Sequence, residues 1–383
     1  MIIRQPIIWA TPLYIIGILL GSSLSGIFFV YASLALLVAG TLLKGRTFVA
    51  DMLLFAFWIS LGMARIGMER EMSSENNTYY KAVCQKAQEQ QEIMTERLRD
   101  AGLDEEALSV SSALLLGHKA GLDKETRKKY AHVGASHLLA LSGMHLGIIY
   151  GILYILFIRR IRYSEWRWFW LPPILLTIWG YAFIAGMPIS LVRAGIMFSL
   201  ATIAMLAQND TPPLHILALS ALVILLFSPC ALYSIGFQLS FLAVFFIIVL
   251  YQPLKEKLKL GNFFTEMFVL SIVAQLGTAP LSIFYFHTFP LIGAIISVIL
   301  IPLTTLIIYL GLLTLLLPNG CIAWLLTIVI KTQEWLVDTI AGIPYTTITD
   351  LYPTWWQVML VYLLLLCIIA RSHIHWERED FNL

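Results

Sequence analysis

The chain has 383 residues, of which 59% are hydrophobic and 13% are charged, and its formal net charge is +2 at pH 7. This composition is typical of a polytopic helical membrane protein, and the small net charge carries no information about partners. The four cysteines imply no disulfide framework, because only Cys84 lies in a clearly polar segment.

Residues 1–66 predict the N-terminal membrane helices: a helical hairpin followed by a third helix. Lys44 and Arg46 follow the hairpin and indicate a cytoplasmic loop. Arg4 precedes a long apolar segment that has no convincing small-residue cleavage site, so we expect this segment to remain as a first helix.

Residues 67–133 form a polar segment, which we expect to lie outside the membrane as a helical region. It mixes both signs of charge and contains the run KAQEQQEIMTERLRD, which is typical of a solvated helix. Residues 104–118 begin with acids and have an apolar face, so they predict an amphipathic helix.

The segment from Gly134 to Arg160 predicts a single membrane-spanning helix and opens a membrane domain over residues 134–371. Two faces of this helix carry different residues. The polar face, within an arc of about 140°, contains His137, Ser142 and His145. The other face has two overlapping GxxxG steps that favour close helix contact, formed by Gly143, Gly147 and Gly151.

Both faces have a structural alternative. The glycines could serve packing alone, and a neutral histidine could simply bond to a neighbouring helix. An ionisable side chain near the bilayer centre, as expected for His145, nevertheless suggests a function. On the packing hypothesis we expect Gly147 to tolerate leucine less well than Gly117, which falls in the external amphipathic segment.

The basic loops agree on one orientation, with the N-terminus cytoplasmic and residues 67–135 external. The pattern predicts about 11–12 transmembrane helices. The number is 11 if residues 321–341 do not span. In this segment Lys331, Glu334 and Asp338 share one face, so that it could lie in the interface instead of spanning. Residues 372–383 form a polar C-terminal tail.

Several polar residues fall at a shared depth in this topology, in the outer half to the middle of the bilayer. These residues are Ser142, His145, Arg193, Gln238, Ser240 and Gln275. They indicate a hydrated cavity open to the outside, because Arg193 needs water or a partner. Interhelical hydrogen bonding is the alternative interpretation.

Motifs for catalysis, energy coupling and metal binding are missing from the sequence. There is no GxxxxGK[ST], CxxC or HExxH pattern, and no acid lies deep in a confidently predicted span. His137 and His145 would be about 12 Å apart on one helix, too far to share a metal ion. We therefore expect no catalytic residue, metal or cofactor, and a protein that is not an enzyme.

Three segments resemble the membrane channel domain of the ComEC competence family. They read GASHLLALSGMHLGII at 134–149, GMPISLVRAGIMFSL at 186–200 and PCALYSIGFQLSFLAV at 229–244, in the family's order. Residues 271–290 fit a fourth family segment more loosely, and the resemblance runs from about residue 104 to 370.

The resemblance implies a channel that passes single-stranded DNA across the bacterial cytoplasmic (inner) membrane during natural transformation. It implies external DNA-receptor or pilus proteins and a cytoplasmic helicase or ATPase as partners, and it allows a homodimer. The resemblance also implies that seven residues of this chain match positions in the family's motifs. They are His137, Ser142, His145, Ser190, Arg193, Gln238 and Ser240.

The sequence departs from the family pattern and resembles a short form. Residues 67–105 are too few for the OB-fold that many members carry there, and no HxHxDH motif of a metallo-β-lactamase-like domain occurs. Ser297 stands where the family often has asparagine. These departures leave two alternatives open, a transporter or exporter of another solute and a non-catalytic envelope scaffold.

Overall fold

A computed structural model describes most of the chain, namely residues 6–21, 26–42, 47–72, 77–118, 121–139, 141–208, 211–343 and 346–379. These residues are almost entirely helical, which confirms the all-α polytopic class. Among them, seven helices are long and apolar enough to cross a membrane and three apolar helices are shorter. The total of 11–12 spans stays a prediction.

The helices of the first half are α1 (Pro6–Leu20), α2 (Gly26–Leu42), α3 (Thr47–Met72), α4 (Asn77–Asp100), α5 (Glu105–Ser111), α6 (Lys124–His132), α7 (Ser136–Leu139), α8 (Gly143–Leu153), α9 (Arg159–Ile161) and α10 (Leu171–Ile184). Those of the second half are α11 (Ile189–Leu206), α12 (Pro213–Phe227), α13 (Ile235–Phe246), α14 (Gln252–Lys257), α15 (Phe263–Phe286), α16 (Gly293–Leu316), α17 (Gly320–Ala341) and α18 (Trp355–Glu379). Two short strands, β1 (Phe289–Pro290) and β2 (Thr347–Ile348), pair in antiparallel register.

The chain forms two compact units that are discontinuous in sequence. The first contains Met1–Gln88, Ile149–Phe183 and Ile189–Gln238, and the second contains Glu89–Ile148, Ile184–Pro188 and Leu239–Leu383. Both units therefore draw on the membrane domain predicted over residues 134–371, and the linear domain boundaries stay predictions.

The first unit is held together by α3, which packs against α1 and α2. Glycines permit the α1–α3 contact: a Cβ atom at Gly17 would overlap the carbonyl oxygen of Ile59, and one at Gly62 would overlap that of Tyr14. Two backbones at this separation leave no room for a side chain, as in other tightly packed membrane helices.

The C-terminus of α12 is capped by side chains from other helices of the first unit. Arg65 donates from Nε to the carbonyl of Leu226 at 2.7 Å and from Nη2 to that of Phe227 at 2.6 Å. Tyr14 donates to the carbonyl of Leu225 at 3.3 Å. The last carbonyls of a helix have no partner within it and carry partial negative charge, so a cation is favourable there.

A fully buried segment lies in the second unit. After α5, the π-helical turn Ser112–Leu116 is buried on all sides and packs against α16. A Cβ at Gly311 would come 3.0 Å from Leu115. The helix predicted over residues 104–118 therefore changes from an α-helix to a π-helical turn after Ser111, and this second part is core, because four of its five side chains are apolar.

The charged face of α17 is paired with α5 and α6. Lys331 lies 2.6 Å from Asp104, and Lys129 lies 3.1 Å from Asp338. The hydrogen bond from Lys331 holds the pKa of the Asp104 carboxyl below its usual range. These charges are partly exposed, so each pair stabilises the fold only modestly.

Beneath these ion pairs, α17 forms a buried polar network. Gln333 is fully buried and donates from Nε2 to the Tyr130 hydroxyl at 3.1 Å, while Thr304 donates to its Oε1 at 3.2 Å. An amide with both ends bonded fixes the rotation of α17 about its axis. The second half of α17 therefore packs beside α6.

This arrangement predicts the side of the C-terminus. Helix α17 ends beside α6, where Lys129 pairs with Asp338, and α18 follows α17 in the chain. We expect α18 to cross the membrane and thus to place residue 121 and the C-terminus on opposite sides. The test is a chain with its four cysteines replaced, Gly121→Cys labelled by an impermeant maleimide, and a C-terminal fluorescent fusion. Finding both on one side would show that α18 does not cross.

The single helix predicted from Gly134 to Arg160 is wrong. Helix α7 ends at Leu139 and α8 begins at Gly143, and α8 is followed by a π-helical turn, Tyr154–Ile158. Gly134 precedes α7 in the chain. Its φ is +79°, and a Cβ atom there would lie 2.5 Å from the ring of Pro290. Only glycine fits that position without strain.

The expectation that Gly117 is a tolerant position is also wrong. Its φ is +77°, and it ends the π-helical turn in the left-handed region. A Cβ there would overlap the side chain of Leu141. Leucine at residue 117 would therefore strain the backbone and overpack the core, so Gly117 is not a neutral comparison for Gly147.

Candidate functional site

Ser142 and His145 together cap the N-terminus of α8. The Ser142 hydroxyl accepts from the backbone N–H of Met144 at 3.3 Å, and His145 Nδ1 accepts from the backbone N–H of Ser142 at 3.3 Å. This is the reciprocal pattern of a capping box, with histidine in the place usually taken by glutamate or glutamine. The pair explains why the helix restarts at Gly143.

The capping contact fixes the tautomer of His145. Because Nδ1 accepts a hydrogen bond, the ring proton of the neutral imidazole lies on Nε2. His145 is fully buried, and its Nε2 has no hydrogen-bond partner among the residues that the structure describes. A buried donor without an acceptor is costly, so this nitrogen marks a place where water or a ligand group is expected.

We expect substitutions at His145 to separate capping from other roles. His145→Gln retains an acceptor for the Ser142 N–H, whereas His145→Leu leaves that N–H unpaired. The leucine variant should be less stable than the glutamine variant by about 1 kcal/mol, the usual size of a cap. Thermal unfolding in detergent measures the difference, and equal melting temperatures would remove the capping role.

His137 lies on the short helix α7, which precedes the capped N-terminus of α8. Its side chain is exposed, and its Nδ1 lies 3.1 Å from the carbonyl oxygen of Gly134. Gln275 on α15 is linked to Gly134 through Pro290: its Nε2 donates to the carbonyl of Pro290 at 2.9 Å. Pro290 thus contacts both Gly134 and Gln275, and sequence reasoning missed it.

Arg193 lies buried on α11, with 8% of its surface exposed. Its guanidinium approaches the N-terminal turn of α13, and a Cβ at Gly236 would come 3.3 Å from Nη2. Gln238 on the same turn donates from Nε2 to the carbonyl of Leu232 at 3.0 Å. Ser190 and Ser240 also take part in interactions within the described chain.

The predicted residues divide between the two units. His137, Ser142, His145, Ser240 and Gln275 belong to the second unit, and Ser190, Arg193 and Gln238 belong to the first. Within the units the structure brings together Ser142 with His145. The shared hydrated cavity stays a prediction.

The predicted glycine face is not found at Gly151, where a Cβ would meet no heavy atom within 4 Å in the described part of the chain. The role of Gly143 and Gly147 stays a prediction. Close contact occurs instead at glycines outside the GxxxG steps. One is Gly277, whose Cβ position lies 2.6 Å from the ring of Phe246. No group of three or more potential metal ligands occurs among the described residues.

The family model described as "Competence protein" matches residues 114–374, more than half of the chain. The chain is 30% identical over 204 residues to ComE operon protein 3 of Bacillus subtilis, a match that covers 53% of this chain and 25% of that protein. It is 24% identical over 232 residues to Recombination protein 2 of Haemophilus influenzae, covering 55% of this chain and 29% of the relative.

An uncharacterized protein of Aquifex aeolicus is 27% identical over 213 residues, which cover 55% of this chain and 48% of that protein. The chain thus spans a quarter to about a half of the length of these relatives. No solved structure matches the chain.

Proposed function

The chain belongs to the competence protein family, and on that premise we propose that it is a channel component for single-stranded DNA. It would move one strand across the bacterial cytoplasmic membrane in natural transformation. The family match and the relatives ComE operon protein 3 and Recombination protein 2 support a role in competence. The strand as cargo is our proposal.

The interrupted helix between α7 and α8 is the observation that carries the proposal. The sequence there is apolar enough to continue as one helix, yet the backbone leaves the helix before Gly143. Non-helical backbone at membrane depth is tolerated where it is buried in protein or lines a water-filled cavity. The start of α8 also presents the positive end of a helix dipole, which favours anionic cargo.

The proposed orientation places the N-terminus in the cytoplasm and residues 67–135 outside. Support comes from the excess of lysine and arginine in the loops assigned to the cytoplasm, such as Lys255–Lys259. In intact cells, the Gly121→Cys chain should then react with an impermeant maleimide, while Lys257→Cys should react only after the membrane is opened. The reverse pattern would invert the topology.

Passage of a strand also requires that the DNA is delivered to the channel and pulled through it, and we assign both tasks to other proteins. We propose that an external DNA-receptor or pilus protein delivers the strand and that a cytoplasmic helicase or ATPase pulls it. The sequence has no GxxxxGK[ST] motif, which fits a chain that conducts without catalysing. A homodimer is part of the same proposal.

DNA passage can be tested with the purified chain in a planar bilayer. Single-stranded DNA is added to one chamber under an applied voltage, and copies reaching the other chamber are counted by amplification. We expect transfer of the single strand and not of the matching duplex. An ion conductance with no DNA transfer would favour a transporter of another solute.

A further inference from the structure

Two electropositive groups of the first unit meet at the start of α13. The guanidinium of Arg193 lies against Gly236, and the Cβ position of that glycine is 3.3 Å from Nη2 and 3.5 Å from Nη1. Gly236 is the second residue of α13, a helix of 12 residues. A larger residue at position 236 would push the arginine away, so the glycine permits the approach.

The N-terminus of α13 has unused donors. Ser234 accepts from the N–H of Phe237 through its hydroxyl at 3.3 Å and from the N–H of Gln238 through its carbonyl at 3.1 Å. The N–H groups of Ile235 and Gly236, in contrast, have no acceptor among the described residues. Free N–H groups at a helix start carry partial positive charge and point out along the helix axis.

No negative group in the described chain balances this charge. Arg193 takes part in none of the ion pairs there, and its buried Nε has no hydrogen-bond partner in the same residues. Burying an uncompensated cation beside the positive end of a helix is unfavourable. An anion at this point would satisfy both the arginine and the helix.

We propose that Arg193 and the first N–H groups of α13 form a binding site for a phosphate group. A guanidinium offers parallel donors that match two phosphate oxygens, and the N–H groups of a helix start suit a third. Gly236 is exposed, so a ligand can reach the site although Arg193 is buried. Resting on the proposed function, the phosphate is a phosphodiester of the single strand.

The site can be tested on the full chain in dodecyl maltoside, which contains no phosphate. The probes are radiolabelled inorganic phosphate and a fluorescent twelve-residue oligothymidine, with an uncharged peptide nucleic acid of the same sequence as a control. The variants are Arg193→Lys, which keeps the charge and loses the fork, and Gly236→Val, which displaces the guanidinium. The matched control is Gly180→Val, because a Cβ at Gly180 meets no described heavy atom within 4 Å.

We expect both site variants to weaken binding of phosphate and of oligothymidine by about tenfold or more, while Gly180→Val binds like the wild type. Each phosphate contact to a single strand contributes about 0.7 to the slope of log affinity against log salt, so a third variant that removes the charge, Arg193→Gln, should lower that slope by about this amount. A variant that only unfolds would not retain a binding curve with a reduced slope.

The remaining outcomes are distinct. Equal binding of phosphate by the wild type and both site variants would overturn the site. Arg193-dependent binding of phosphate without binding of oligothymidine would keep the anion site and remove the DNA strand as its ligand, while the proposed function would still be tested separately by DNA transfer in the bilayer. Competition by phosphatidylglycerol and not by oligothymidine would assign the phosphate to a lipid headgroup and overturn the strand assignment.

Discussion

Replacing Gly62 with leucine is expected to abolish the packing of α1 against α3 and to remove the protein from the membrane fraction. The Cβ of the new residue would overlap the carbonyl oxygen of Tyr14. It would also come too close to backbone atoms of Ile18 and Gly17 in α1. Backbone atoms cannot move aside as a flexible side chain can. The helices must separate, at a cost above the 1–3 kcal/mol that is usual for overpacking.

The loss should extend beyond one contact, because the same helices hold α12 through Tyr14 and Arg65. Membrane abundance and thermal stability of a fluorescent fusion in detergent measure the effect. Gly180→Leu is the matched control, since it adds the same side chain to a helix of the same unit where the glycine has open space. Equal abundance and stability of the two variants would contradict the packing of α1 on α3.

The second large effect is expected at Arg193. Arg193→Gln should reduce transformation at least about tenfold with normal membrane abundance, because the site loses its positive charge while a shorter, neutral polar side chain remains. Arg193→Lys should retain part of the activity, since the charge is kept and the forked donor geometry is lost.

Abundance and transformation must be measured on the same cells. A fall in abundance that matches the fall in transformation would make Arg193 a structural residue. Full transformation by the glutamine variant at normal abundance would exclude it from the pathway. Full activity of the lysine variant alone would show that charge is sufficient and that no fork is required.

Composition and periodicity predict the helical class well, because long apolar runs can satisfy their backbone in a membrane only as helices. Helical periodicity also predicts that Ser142 and His145 lie close together, since residues three apart share a helix face. The break at Gly143 escapes composition and periodicity, because the apolar run continues through it. The signal available in the sequence was the capping pattern Ser-Gly-Met-His, which places a helix start inside the run.

Contacts between distant segments could not be read from local patterns. Gly17 and Gly62 lie far apart in the chain; Gly17 belongs to a GxxxG step with Gly21, but Gly62, against which it packs, belongs to none, so the pattern does not identify the partner. The approach of Arg193 to Gly236 likewise depends on how α11 and α13 pack. Gly151, in contrast, fits the GxxxG pattern and yet contacts no described neighbour, because the pattern permits close packing without specifying a partner.

The central claim is that this chain conducts single-stranded DNA. Its most direct test is the entry of radiolabelled DNA into a nuclease-resistant, cytoplasmic form in a naturally transformable host from which the gene is deleted and then restored. We predict that deletion abolishes entry while DNA binding at the cell surface continues, and that the wild-type gene restores entry. Unchanged entry in the deletion strain would contradict the claim.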